Sequence, residues 1–262
     1  VGAILELQGV SMSFGGLKAV ADLSFEVREN EIVSIIGPNG SGKTTTFNVI
    51  SGLYEPDSGD ILLKGESVAG LRPDQVHDKG ISRTFQSLRL FSNMSVLDNV
   101  LVGMHSVTDA GLVASMLRLP SVRREEAAMR AKAQEILAMF PGRFSGPRQQ
   151  QPAFSLSYAN RRRLEIARAL ASEPVLLLLD EPVAGMNPME SREVMEQIKI
   201  LRDKGFTILM IEHDMHVVEG VSDRVVAMDH GVKIAEGSYA DVANDPQVVE
   251  AYLGKRAAEA TA

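Results

Sequence analysis

Gly37-Pro38-Asn39-Gly40-Ser41-Gly42-Lys43-Thr44 is the stretch on which the reading of this chain turns. It fits G-x-x-x-x-G-K-[ST], a loop that wraps phosphate. Before it, Ile32-Val33-Ser34-Ile35-Ile36 is a short apolar run that reads as a buried strand. After it, Thr45 to Gly52 reads as a helix closed by Gly52. Glycines let backbone N–H groups curl around an anion, and the helix start adds a positive dipole end. Lys43 is expected to reach the β- and γ-phosphates, and the Thr44 hydroxyl to ligate Mg²⁺.

Outward from the loop, residues 3–36 read as β structure. Leu23, Phe25 and Val27 alternate with polar residues as in a half-buried strand. Phe14, at the mouth of a Gly15-Gly16 turn, has a position that suits a core aromatic. Asp60 to Gly65 and Ile81 to Phe85 read as strands, and Gln86 follows as a loop residue. Pro73 opens a short helix. Strand signals vanish from Ser87 to about Ser155. Ser95 caps a helix there, and Ala133, Ile136, Leu137 and Phe140 share one face of a helix spanning 121–140, before a Pro- and Gln-rich run over 141–155 breaks the order. We read 87–155 as a helical insertion into an α/β core.

A helix is expected from Arg161 to Ala171. Because the chain is acidic overall, Arg161-Arg162-Arg163 reads as a solvated face rather than a nucleic-acid patch. Pro174 to Leu179 is a continuous apolar strand, as in the middle of a parallel sheet. It ends in Asp180-Glu181, two carboxylates that are costly there unless they serve a cation or a proton. Thr207 to Ile211 is another buried strand, ending at Glu212-His213-Asp214. Arg224–Met228 and Val232–Ala235 read as a hairpin through His230-Gly231. Asp245, Pro246 and Gly254 punctuate a last helix, and 255–262 reads as a frayed tail. Gly37, Gln86, Asp180-Glu181 and His213 thus all follow buried strands. In a doubly wound sheet ligands bind at the carboxyl ends of strands, so the four sites converge on one nucleotide.

The bulk numbers agree. The 262 residues are 45% hydrophobic and 23% charged, enough for a sizeable core. A net charge of −7 argues against a general nucleic-acid binder. Without cysteine there is no disulfide framework. No apolar run approaches the ~18 residues of a membrane span, and the first residues lack a signal-peptide pattern. Any service to a membrane is expected to be that of a peripheral subunit.

With these residues in view, the chain resembles the ATP-binding subunits of ABC transporters over about residues 4–254. The resemblance implies a RecA-like P-loop NTPase core (1–86 and 156–240) with an N-terminal antiparallel β-subdomain, the helical insertion 87–155, and a C-terminal helix over 241–254. It implies that Phe14 stacks on adenine, against its positional reading. Gly37, Pro38, Asn39, Gly40, Ser41, Gly42, Lys43 and Thr44, with Thr45, match Walker A. Gln86 matches the glutamine that reaches Mg²⁺ and couples to the membrane subunit. Asp180 matches the Mg²⁺-side carboxylate of Walker B, Glu181 the water-activating glutamate, Ala184 to Asn187 the D-loop, and His213 the γ-phosphate switch.

The finer likeness, in Gly80–Gln86, Arg163–Ala169, Ala184–Pro188 and Ala251–Gly254, is to branched-chain amino-acid importers and the larger of their two ATPase subunits. Urea, amide and lipid-transport systems are the near alternatives. Soluble ABC ATPases that act on DNA ends or ribosomes are the distant one. The implied cofactors are ATP and Mg²⁺. The implied partners are a second ATPase subunit (identical or related), membrane permeases and, indirectly, a solute-binding protein, with no nucleic acid. The implied place is the cytoplasmic face of the cell membrane. The C-terminal regulatory domain of some other importers is expected to be absent.

One motif departs from the family. Where Leu-Ser-Gly-Gly-Gln belongs, the chain has Leu156-Ser157-Tyr158-Ala159-Asn160. Ser157, Ala159 and Asn160 would then face a partner's nucleotide. An extra methyl at Ala159 implies a steric cost, greatest if the residue needs positive φ. On that expectation this signature is weak in trans, and most turnover occurs at this chain's own Walker A. The alternative is that alanine is tolerated and both sites work.

Overall fold

The computed structural model describes residues 2–104 and 120–253. Gly254, the tail 255–262 and residues 105–119 of the helical insertion lie outside them. Two sheets organise the chain. The first is antiparallel, in the order β2 (Leu17–Arg28), β1 (Ala3–Phe14), β4 (Ser58–Leu63), β5 (Glu66–Ser67). The second runs β10 (Val232–Gly237), β9 (Arg224–Asp229), β3 (Ile32–Ile36), β8 (Thr207–Ile211), β7 (Leu176–Asp180), β6 (Ile81–Arg83). It is parallel except for the β9–β10 hairpin.

Strand β7 shows why the second sheet forms. All five of its residues are buried. Leu177 and Leu179 enter one core, Leu176 and Leu178 the other. Side chains alternate across a strand, so a continuous apolar run fits only a sheet covered on both faces. One face is covered by helices: α3 (Val96–Gly103), α4 (Pro120–Ala138), α5 (Tyr158–Leu170) and α6 (Pro188–Asp203). The anticipated face of Ala133, Ile136, Leu137 and Phe140 is buried there. The antiparallel sheet and α1 (Lys43–Ile50) cover the other face.

Register sets the site. Asp180 pairs with Ile211, and Ile211 with Ile35, while Arg83 pairs with Leu178. The strands end in step, so the residues just beyond them share one edge of the sheet.

β1 runs unbroken through Gly9, which sits at φ 63, with a register shift between Leu7 and Val10. Several local expectations change. β6 stops at Arg83, short of Phe85. The 141–155 run contains two 3₁₀ turns, Gly146–Gln150 and Ala153–Ser155, bridged back to the start of α3 through Ser95 and Pro152. The last helix, α9 (Pro246–Leu253), starts at Pro246 as its punctuation predicts, but a separate short helix, α8 (Tyr239–Ala243), precedes it, so 241–254 is not one helix. α7 (Met215–Val221) precedes β9.

The largest correction concerns Arg161-Arg162-Arg163. Arg162 and Arg163 are not solvated; both are buried, and Arg161 is half-buried. α5 also begins three residues earlier than expected, because the Ser157 side chain caps it by accepting from the Asn160 N–H. Arg163 is held by Gln197, Glu193 and Asn160. A guanidinium is tolerated in such a place because its planar fork donates in several directions at once.

Candidate nucleotide site

The loop 37–44 joins β3 to α1 and borders a cavity of about 470 Å³. Phe14, Thr44, Thr45, Gln86 and Glu181 line the same cavity. Gly37 and Gly42 adopt φ 149 and 102, and a Cβ on either would meet backbone: Met228 O at 2.1 Å, Ala19 O at 2.4 Å. Gly40, at φ 82, faces open space. Two glycines thus let the loop pack against its neighbours while the third leaves the cradle open, which suits bound phosphate. Lys43 Nζ folds across the loop, donating to Gly37 O at 2.7 Å and Pro38 O at 2.9 Å. Burial pushes its pKa below the ordinary lysine value, and the negative Glu181 opposes that shift.

Phe14 is 44% exposed and meets Tyr54 edge-on at 5.2 Å between ring centroids. Its positional reading as a core aromatic is therefore overturned. Gln86 Nε2 donates to Glu181 Oε2 at 3.3 Å, and His213 Nδ1 lies 3.6 Å from Glu181 Oε1. Glu181 itself sits at φ 47, unusual for a side chain of its size. Asp180, one residue back, is buried. Its Oδ2 accepts from Arg83 at 3.0 Å, and its N–H donates to Thr84 Oγ1.

Among the described residues, no three His, Cys, Asp or Glu side chains are placed to hold a metal. The donors at hand are a hydroxyl, a carboxylate and an amide. They fit Mg²⁺, which takes one or two carboxylates plus substrate phosphate oxygens.

Gly37, Pro38, Asp180 and His213 adjoin these residues without lining the cavity. Ser157, Ala159 and Asn160 are not among those lining it either. Ala159 is 1% exposed and is not among the positive-φ residues. The positive-φ case of the steric expectation therefore does not arise, and the methyl is buried in the first turn of α5. Tyr158 packs over Gly185 of the 184–187 loop. For Ala159→Gly we expect a loss of about 1 kcal/mol, from helix propensity and one buried methyl, with no gain in turnover. Urea unfolding and ATPase assays of the assembled complex check this, and a clear gain would restore the steric reading.

Sequence reasoning missed several buried charges near the site, Arg83, Arg162 and Glu212 among them. Arg83 and Arg162 brace the site, and Glu212 closes β8. The Glu212 carboxylate accepts the N–H groups of His213, Asp214 and Val183. Burial raises its pKa above 4.5, and those N–H bonds pull the other way. A carboxyl with a raised folded-state pKa contributes stability that is full below its unfolded pKa and is lost as pH rises through the raised value. The wild type should therefore lose stability relative to Glu212→Gln as pH climbs through that window. Urea unfolding of both proteins along a pH series tests this, and a pH-independent difference overturns it. The only sequence signal was a carboxylate ending an apolar strand.

A family model described as ABC transporter matches residues 20–184. The chain belongs to the ABC transporter family. A second model, for branched-chain amino acid ATP-binding cassette transporters, matches residues 232–258 of this ABC chain. The chain is 44% identical to the high-affinity branched-chain amino acid transport ATP-binding protein LivG of Salmonella typhimurium, over 96% of this chain and 98% of LivG. It is 41% identical to BraF of Pseudomonas aeruginosa, a protein of the same description, with the same coverage. Among solved structures it resembles the ADP conformation of MJ1267, an ATP-binding cassette of an ABC transporter. The TM-score is 0.84 and the identity 32%, over 97% of this chain and all of that one.

Proposed function

We propose that this ABC chain binds and hydrolyses ATP to power an importer of branched-chain or related amino acids. The observation that carries the ATPase reading is the meeting of Gln86, Glu181 and His213 beside the Lys43 cradle. The match of residues 232–258 to the branched-chain group supports the cargo.

In this reading Phe14 stacks on the base, and the N–H groups of 37–44, with Lys43 and Thr45, hold the phosphates. Thr44, Asp180 and Gln86 hold Mg²⁺, which, when bound, neutralises charge on the phosphate oxygens. Glu181 orients the attacking water and takes its proton. His213 stabilises charge on the transferred phosphoryl group. Residues 157–160 serve a partner's nucleotide, so two ATPase subunits close head to tail. ATP binds the closed state better and so drives closure. The chain sits peripherally on the cytoplasmic face of the membrane against permease subunits, fed by a solute-binding protein. No nucleic acid takes part.

Reconstitution with permeases and binding protein tests this. We expect Mg²⁺-dependent ATPase activity coupled to uptake of leucine, isoleucine or valine. Uptake of a different solute moves the cargo, and absence of hydrolysis overturns the reading.

A further inference from the structure

Arg162 is fully buried two residues past the signature, and its charge partner is Glu165, which does not line the nucleotide cavity. Nη1 donates to Phe85 O and, at 2.8 Å, to Glu165 Oε2. Nη2 donates to Gln86 O at 3.0 Å and to Glu181 O at 3.4 Å. Glu165, one turn further along α5, accepts the Arg89 N–H on its other oxygen at 3.2 Å. The loop 85–89 is therefore pinned at both ends to one helix: its entry by the Arg162 fork, its exit by Glu165. That helix begins with Ser157 to Asn160, and Asn160 is held in turn by Arg163.

We infer that Arg162 is a positioning residue that yokes the signature helix α5 to the Gln86 loop and to the Glu181 backbone. Gln86 and Glu181 complete this chain's own nucleotide site, whereas 157–160 are offered to a partner's. Arg162 lies at their junction and bonds to both. A buried fork with four acceptors has one good orientation, so neither side moves without the other. When the Gln86 loop shifts on docking or nucleotide binding, the signature shifts with it. The two composite sites thereby sense each other through a rigid element rather than through nucleotide contacts. This inference rests on the proposed roles of Gln86, Glu181 and the signature.

The test compares Arg162→Lys, Glu165→Gln and Glu181→Gln. Lysine keeps the charge opposite Glu165 but cannot fork to three carbonyls. In the assembled complex we expect Arg162→Lys to lower kcat roughly 10- to 100-fold, as misplacement of catalytic groups does, while affinity for a fluorescent ATP analogue holds. In the full chain, amide exchange should rise together at 85–89 and 157–160 and nowhere else. Glu165→Gln, which keeps the guanidinium, should give the same paired rise in exchange and guards against a variant that fails to fold. Wild-type turnover in Arg162→Lys overturns the yoke, and so does exchange rising at one segment alone. A general rise in exchange with loss of nucleotide affinity marks a folding residue and overturns it as well. If Glu181→Gln retains turnover, it is the reading of the site that fails. Paired exchange does not depend on the role of Glu181, so the two failures are distinguishable.

Discussion

Glu181→Gln is expected to lower ATP turnover by about 10²- to 10⁴-fold, the range for removal of a general base, while leaving ATP binding intact. The geometry supports both halves. Glutamine keeps the shape of the side chain and an oxygen for the Gln86 Nε2 donor now 3.3 Å away. It loses the ability to take a proton. The nucleotide cradle of Lys43 and the 37–44 backbone is untouched, because Lys43 is held by Gly37 O and Pro38 O. Turnover and equilibrium binding of labelled ATP, measured on the same preparation, separate the effects. Equal losses in both would mean that Glu181 holds the substrate instead of activating water.

Arg83→Leu is expected to cost about 3–5 kcal/mol of folding stability, the usual result of removing one partner of a buried ion pair. Arg83 and Asp180 are each only 6% exposed at the side chain and 3.0 Å apart. The same guanidinium donates to Asn48 and Ser51 at the end of α1 and lies between the rings of Phe47 and Phe85. Leucine would leave the Asp180 carboxylate without its partner in a dry place. Adding Asp180→Leu should restore much of the loss, because replacing both charges by apolar groups is often near neutral. Urea unfolding of the three variants measures this. If the double variant is no more stable than Arg83→Leu, the loss comes from packing on Phe47 and Phe85. The pair also ties the helix of the phosphate loop to the carboxylate assigned to Mg²⁺, so Arg83→Leu should weaken Mg²⁺ dependence along with the fold.

Much of the site was legible in the chain because its residues follow apolar runs. A strand that is all Leu, or Ile and Val, must lie between two covered faces. Polar residues just past it then fall on the sheet's carboxyl edge. Gly37, Asp180-Glu181 and His213 were found by that logic, and parallel register places them side by side. Phe14 shows where position alone misleads: beside two glycines it suits a core aromatic, yet it is exposed over the cavity.

The amino-acid sequence by itself determined the sheet's interior, the phosphate loop and the order in which the candidate site's side chains appear. These depend on periodicity, on glycine's reach into positive φ and on short spacings along the chain. Only the tertiary structure decided the fate of the buried charges. Arg162 and Arg163 stand in an arginine run on an acidic chain, and local pattern turns such a run toward water. Beside the local Glu165 and Asn160, their partners are the carbonyls of Phe85, Gln86 and Glu181 and the side chains of Gln197 and Glu193, which lie 19 to 77 residues away along the chain. Ala159 shares that dependence. Whether its methyl meets a phosphate or a core is set by how α5 packs against its neighbours, and Ala159 is buried.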